Sequence, residues 1–285
     1  MNSSLLSNKM FKKVLQYILL SLVGIIFLLP LVYLLSNSFK TFNEIIQFPP
    51  TIIPKNFLTS NYTELFNPNN PNYVPMPTFI KNSFLVCIGT VIGTVISTVM
   101  VGYAFARLPC RLKNVLFIIL LSTLMIPSSV LVIPIFKIFR DIHFLNSLKA
   151  LIVPSFFGNA FYIFFMRQFL MGIPYELDEA AYIDGATKLQ ILFKVLLPLC
   201  KPVLMSITVL EFVATWTDFY SPLIYLTSEN KMTLAVGLAM FQGQRQSLLG
   251  LLSAATVISI VPMILLFFSA QKYFVEGISF SGMKA

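Results

Sequence analysis

The sequence predicts an all-α, polytopic membrane protein with six transmembrane helices, and three observations predict it. Of 285 residues, 57% are hydrophobic and only 11% are charged, against ~25% charged in a soluble domain, so a water-soluble monomer is excluded as the starting class. Four runs carry no charge at all: 26 residues between Lys13 and Lys40, 25 between Lys81 and Arg107, 23 between Lys113 and Lys137, and 26 between Arg245 and Lys272. Each exceeds the ~20 helical residues that cross ~30 Å of hydrocarbon. Two further stretches are apolar apart from a few polar groups: 150–171 with Asn159, Arg167 and Gln168, and 203–226 with Glu211 and Asp218. Helices are the expected solution, because lipid offers backbone amides no partner and the runs are too long for barrel strands.

The first span, 14–36, has an apolar core longer than the about 7–15 residues of a removable export signal, and no small-x-small site follows it, so it is expected to stay as a helix. The second, 82–105, carries Gly89, Gly93 and Ser97 at four-residue intervals, a small-residue face suited to close contact within the chain or with another subunit. The others cover 114–136, 150–171, 203–226 and 249–271. An even number of spans puts both termini on one side. With the termini in the cytoplasm, twelve of the twenty basic residues fall on inner segments and eight on longer outer loops, the bias expected of cytoplasmic loops. The chain then reads as a cytoplasmic segment, 1–13, and one transmembrane domain, 14–285. Basic residues punctuate span ends instead of forming a patch, which argues against nucleic acid despite a net charge of +9. Cys87, Cys110 and Cys200 form no C-x-x-C pair and read as packing residues. His143 is the sole histidine, so no metal site can be built on it.

Two loops are too long for mere connectors. The outer one, 37–81, carries Pro49, Pro50, Pro54, Pro68, Pro71, Pro75 and Pro77, which suit turns and short extended pieces. It either meets an arriving partner or caps its own helices. The inner one, 172–202, holds four of the eleven acids: Glu176, Asp178, Glu179 and Asp184. Pro174 suits a first helical turn and the acids complement its dipole, so a short helix starts here; Asp184-Gly185 stops it. Leu177, Ala180, Ala181 and Asp184 share i, i+3, i+4, i+7 spacing, a small flat face that another protein's groove can approach. Leu189, Leu192, Phe193, Leu196 and Leu197 then repeat with helical period. Pro198 and Pro202 redirect the chain into the fifth span. The expected picture is a short surface helix, a hinge, and an amphipathic helix under the bundle.

Glu179-Ala180-Ala181, Gly185, Val195 and Leu197-Pro198 reproduce, at its spacing, the inner-loop signature of ABC-importer permeases: E-A-A, three residues, Gly, nine residues, Ile-x-Leu-Pro. Valine for isoleucine is the one departure. Ser38-Phe39-Lys40-Thr41, Asn61-Tyr62, Asn82-Ser83, Trp216-Thr217-Asp218-Phe219 with Pro222-Leu223-Ile224, and Tyr273-Phe274-Val275-Glu276-Gly277 resemble the carbohydrate-uptake branch, specifically its smaller, maltose-type permease subunit. The resemblance runs over nearly the whole chain. It implies a type I ABC importer permease (MetI-like) fold with a cytoplasmic coupling helix, set in a bacterial cell membrane. It also implies partners: a second homologous permease in a heterodimer, a cytoplasmic ATPase dimer whose cleft receives the coupling helix, and an extracellular or periplasmic solute-binding protein that delivers a sugar. On this resemblance ATPase coupling falls to Glu179, Ala180, Ala181, Asp184, Gly185, Leu197 and Pro198. The chain has no G-x-x-x-x-G-K-[ST] to cradle phosphates, so ATP and Mg²⁺ are expected on the partner ATPase and no cofactor on this chain.

Acids inside a span usually face a cavity or a partner. Glu211 and Asp218 lie seven residues apart, with Thr215 on the same face and Trp216 alongside; acceptors for hydroxyls beside an aromatic face suit a sugar pathway. The alternative reading is helix packing, or pairing with Arg167 or the partner permease. Asn159 and Tyr162, at i and i+3, either join the lining or hydrogen-bond between helices. No nucleophile, base and orienter come together in the sequence, so the expected function is a non-catalytic subunit forming half of a pathway for a sugar or oligosaccharide. An importer of a polyol or glycerol phosphate would share the loop; a phosphate ester is expected to need basic residues facing the pathway, and spans five and six offer none. An ion-coupled secondary carrier would use Glu211 and Asp218 as proton or cation sites and need no ATP.

Overall fold

The computed structural model describes residues 3–70, 73–244 and 248–282; Arg245 and Lys284, which enter the charge distribution above, lie outside these residues. Among the described residues the chain is helical, without a strand. α1 (Ser3–Asn37) is followed in the first long loop by α2 (Phe42–Ile45) and α3 (Ser60–Leu65), then by α4 (Met76–Arg107). The third span is two helices, α5 (Lys113–Ser122) and α6 (Ser128–Asp141), in a pair bent by 101°. Ile126 is extended there, as the residue before a proline prefers. α7 (Lys149–Ile152), a 3₁₀ stretch Val153–Phe157 and α8 (Ala160–Met171) form the fourth span, interrupted at Gly158 with φ +91°.

The inner loop follows with α9 (Glu176–Ile183), α10 (Lys188–Gln190), a π-helical turn Ile191–Leu196 and α11 (Leu197–Leu199), which turns by 79° into α12 (Lys201–Trp216). The fifth span, expected as one helix over 203–226, is instead broken. α12 ends at Trp216 and α13 (Tyr220–Tyr225) restarts beyond Asp218. α14 (Leu234–Gln244) and α15 (Leu249–Gly282) complete the fold, and the backbone of the Tyr273-Phe274-Val275-Glu276-Gly277 motif is part of α15. Met10–Asn37, Met76–Arg107, Lys149–Met171 and Leu249–Lys272 are each long and apolar enough to cross a membrane, and the number rises to six where each of the two bent pairs, Lys113–Met125 with Ser128–Asp141 and Lys188–Leu199 with Lys201–Trp216, is counted as one span.

The helices divide into two compact units, Met1–Val74 with Leu238–Ile260 and Pro75–Gly237 with Val261–Ala285. In the first, no residue between positions 10 and 35 of α1 is buried by the chain. The loop behind it is folded onto the end of that helix. Asn61 Nδ2 donates to the carbonyls of Ser38 (2.9 Å) and Lys40 (3.0 Å), and Ser38 Oγ and Tyr62 OH are 2.7 Å apart. The Phe39 ring lies 5.9 Å from Phe57 and 5.3 Å from Tyr62. Lys40, only 1% exposed, donates to Asn37 Oδ1 (3.1 Å) and the Thr51 carbonyl and sits 5.2 Å from the Tyr33 ring centre. Glu44 accepts from the Lys55 amide at 2.8 Å. The proline-rich loop is thus a cap built around a buried lysine.

In the second unit α4 packs against α8, α12 and 149–157. Its small-residue face meets the chain itself: a methyl on Gly89 would come within 2.7 Å of Ile152, one on Gly93 would overlap Ser155 and Phe156, and Ser97 Oγ donates to the Ser155 carbonyl at 3.0 Å. Asn82 donates to the carbonyls of Asn230 (3.0 Å) and Met232 (2.9 Å), while Ser83 Oγ accepts from the Leu234 amide (2.8 Å), so this pair ties α4 to the segment before α14. The amphipathic repeat over 189–197 needs correction. Leu192 and Leu196 are buried, but Leu189 and Phe193 are exposed and Ile191 is buried in their place. A π-turn bonds i to i+5 and holds more residues than an α-turn, so the inward face slips relative to the α-helical spacing.

Candidate functional site

Two places carry functional geometry, the inner loop and a cavity in the same unit. In the loop α9 ends in a Schellman arrangement. Ala186 N–H donates to the Ala181 carbonyl and Gly185 N–H to that of Tyr182, both at 3.0 Å, with Gly185 at φ +80° and open space around its Cα. This left-handed position favours glycine. Thr187 starts the next helix with a capping box to Gln190. Glu176, Glu179, Ala180, Tyr182, Ile183 and Asp184 are exposed, whereas Asp178 is buried and Ala181 is half-buried against the chain's own core. Of the face expected from Leu177, Ala180, Ala181 and Asp184, Leu177, Ala180 and Asp184 are exposed and only Ala181 turns partly inward. The outward surface is acidic, with Tyr182 and Ile183 at its C-terminal end. Leu197 is half-buried against the core and Pro198 is exposed before the turn into α12.

What fastens α9 is a pair that the sequence reading counted only as charges. Arg107, in the last turn of α4, comes within 3.4 Å of Asp178, with side chains 7% and 9% exposed. Its Nη2 donates to the Ile173 carbonyl at 2.8 Å and its guanidinium lies 5.3 Å from the Tyr175 ring centre. Tyr103 OH, one turn earlier, donates to the Lys188 carbonyl at 3.0 Å. Burial pushes the Asp178 carboxyl above the usual carboxylate range, and the Arg107 guanidinium pulls it down by less. A signal was present: Asp178 and Ala181 are spaced i, i+3 on a short helix, opposite a basic residue that closes a span.

The cavity, of about 350 Å³, is walled by α4 through Ser83, Thr90 and Thr94, by the fourth span through Ser155 and Asn159, and by α12, α13 and the break between them through Glu211, Thr215, Asp218 and Ser221. Thr215 Oγ1 donates to Glu211 Oε1 at 3.4 Å and lies 3.1 Å from Thr90 Oγ1. The hydroxyls of Tyr162 and Thr94 also hydrogen-bond to Glu211. Glu211, Thr215, Asp218 and Asn159 are thus brought together, with Tyr162 buried behind the carboxylate. Asp218, however, lies past the end of α12. Its Oδ1 accepts from the amides of Tyr220 (3.0 Å) and Ser221 (3.1 Å), the work of a helix cap. Asn159 similarly accepts from the Phe161 amide at 2.9 Å. Trp216 is not placed at the cavity; it is buried with its ring centre 4.8 Å from Phe84 and 5.5 Å from Phe212. Neither acid pairs with Arg167, which instead donates to the Phe105 carbonyl (3.4 Å) and covers the Phe117 ring at 4.1 Å. The hydroxyls of α4 were missed. Their trace in the sequence is a polar stripe, Ser83, Thr90, Thr94, Ser97, along an otherwise apolar helix.

The chain is similar to known proteins along nearly its whole length. The chain is 34% identical over 261 residues to a probable ABC transporter permease protein of Pyrococcus horikoshii, covering 90% of this chain and 92% of that one. It is 30% identical to the arabinooligosaccharides transport system permease protein of Bacillus subtilis, covering 92% of each. A chain in the crystal structure of a bacterial ABC transporter involved in the import of the acidic polysaccharide alginate superposes with a TM-score of 0.79 at 27% identity, over 94% of this chain and 98% of that one. Residues 93–280 match the family described as binding-protein-dependent transport system inner membrane component. With two thirds of its length inside that family's pattern, the chain belongs to the binding-protein-dependent inner membrane components, the permease subunits of ABC importers.

Proposed function

We propose that the chain is a non-catalytic subunit that forms half of the translocation pathway of an ATP-driven importer for a sugar or oligosaccharide, in the cell membrane with both termini in the cytoplasm. A second homologous permease completes the pathway, a separate ATPase dimer carries ATP and Mg²⁺, and a binding protein outside the membrane delivers solute. In this reading Glu179, Ala180, Tyr182 and Ile183 meet the ATPase, Gly185 is the pivot, and Ala181, Asp184, Leu197 and Pro198 hold the loop in shape. The observation that carries the reading is the continuity of α4. One helix presents Thr90 and Thr94 to the cavity and Arg107 to α9, so displacement of the surface helix reaches the cavity wall through a single rod.

The lining supports the choice of solute. It offers carboxylates, hydroxyls and an amide, and no lysine or arginine. These groups hydrogen-bond to sugar hydroxyls and repel a phosphate ester. The arabinooligosaccharide relative points the same way.

The test uses the full chain with its partner subunits in sealed vesicles, measuring sugar uptake and ATP hydrolysis together. Gly185→Val is expected to keep hydrolysis and lose most uptake per ATP; unchanged uptake per ATP would remove the pivot. Accumulation by this chain alone, without ATP, would overturn the importer reading.

A further inference from the structure

The loop that caps α1 carries apolar side chains that the chain leaves in the open. Phe48 is 92% and Ile53 74% exposed, and Ile46, Ile52 and Phe57 are exposed beside them. We propose that residues 46–57 form an interfacial wedge, seated between headgroups and acyl chains of the lipid leaflet at the C-terminal end of α1.

The depth of this segment follows from its attachment. Ser36, in the last turn of α1, donates to the Ile52 carbonyl, and Lys40 donates to the Thr51 carbonyl. From Lys13, the last charge before the apolar run, to Ser36 is 23 helical residues, which at ~1.5 Å each is about 35 Å. The hydrocarbon layer is ~30 Å thick. With Lys13 at one edge, Ser36 sits just past the other, and the backbone it holds sits at the same level. Aromatic and aliphatic side chains at that level enter the boundary region that favours them, and basic groups stay with the phosphates. Lys55 is exposed at the edge of the apolar cluster, its Nζ donating to Gln47 at 3.0 Å.

The backbone suits the place as well. Irregular chain near lipid is penalised for each unpaired N–H, and Pro49, Pro50 and Pro54 have none. Continuity with a helix that itself spans the bilayer, together with the flanking cation, selects lipid as the occupant.

The experiment places single tryptophans, Phe48→Trp and Ile53→Trp, in the full chain reconstituted with its partner subunits in vesicles of phosphatidylethanolamine and phosphatidylglycerol. Asn69→Trp, on an exposed turn of the same loop, is the solvent reference, and the unsubstituted chain supplies the Trp216 background. Lipids brominated near the top of the acyl chain are expected to quench the added emission at 48 and 53 strongly, and mid-chain bromines less. Acrylamide in the water phase is expected to quench only the Asn69→Trp emission. Quenching of 48 and 53 by acrylamide and not by brominated lipid overturns the proposal, because the segment then faces water. Insensitivity to both also overturns it, because another protein chain then covers the segment. A photoactivatable residue at position 53 gives an independent readout: a lipid adduct supports the wedge, and an adduct with a second protein refutes it.

Discussion

Lys40 and Arg107 are both cations withdrawn from water, each at the point where a long loop is fastened to a membrane helix, and they are satisfied in opposite ways. Lys40 is held by an amide oxygen, a carbonyl and an aromatic face, with no carboxylate at ion-pair distance among the described residues. Arg107 is held by a carboxylate on a different helix, with a carbonyl and an aromatic face in support. A cage of neutral acceptors within one stretch of chain keeps its cation as long as that stretch is folded. An ion pair between two helices holds only while both present their charges, and separating them strands a buried carboxylate. The first loop is therefore built to stay in place, and the second to report where α9 stands.

The largest effect expected from this contrast is at Arg107. Arg107→Ala leaves Asp178 buried and unpaired and is expected to destabilise the fold by about 3–5 kcal/mol, read as a drop in unfolding midpoint and faster hydrogen exchange over 176–183. Replacing Arg107 with Met and Asp178 with Leu together should recover most of the stability and still couple hydrolysis to uptake poorly. Recovery of both would reduce the pair to packing.

Next in size, Lys40→Met removes a donor from acceptors in a neutral cage, and about 1–3 kcal/mol is expected. A loss as large as that of Arg107→Ala would erase the distinction between the two loops. At the cavity, Asp218→Ala deletes a cap worth about 0.5–2 kcal/mol, whereas Asp218→Asn should retain it. If uptake falls in both while only Ala lowers the unfolding midpoint, the carboxylate serves solute as well as the helix.

The smallest effect is on pH. Because Asp178 has its folded carboxyl raised, the native state takes up this proton before the unfolded chain as pH falls. The group therefore contributes stability that is fully present below the ordinary aspartate range and is lost as pH rises through its raised folded value. Asp178→Asn should flatten the stability profile in that window; an unchanged slope would place the titration elsewhere.

The spans were legible because uncharged runs of this length have few other solutions, and α9 with Gly185 was legible because a cap, a dipole and a left-handed glycine are local chemistry. Less could be read where tertiary contacts decide. The i, i+3 spacing of Asp178 and Ala181 marked an inward face, but its direction could not be read from α9 alone, since the position of Arg107 is what turns Asp178 inward. The break after Trp216 was hidden in an apolar run, although Asp218 followed within one turn by Ser221-Pro222 was its cap and restart. The π-turn at Ile191–Leu196 left no mark in an α-period count, so Leu189 and Phe193 were assigned to the wrong face.

Where the side chains of Ile152, Ser155 and Phe156 press on the bare main chain of Gly89 and Gly93, two walls of the chamber come as close as side chains on one wall and glycine backbone on the other allow. Along that edge its width is set by the two glycines, because a methyl at either would have to displace the Ile152, Ser155 or Phe156 side chain. The opposite edge is divided, because α12 stops and α13 begins at Asp218. A vessel with one calibrated side and one jointed side widens only at the joint.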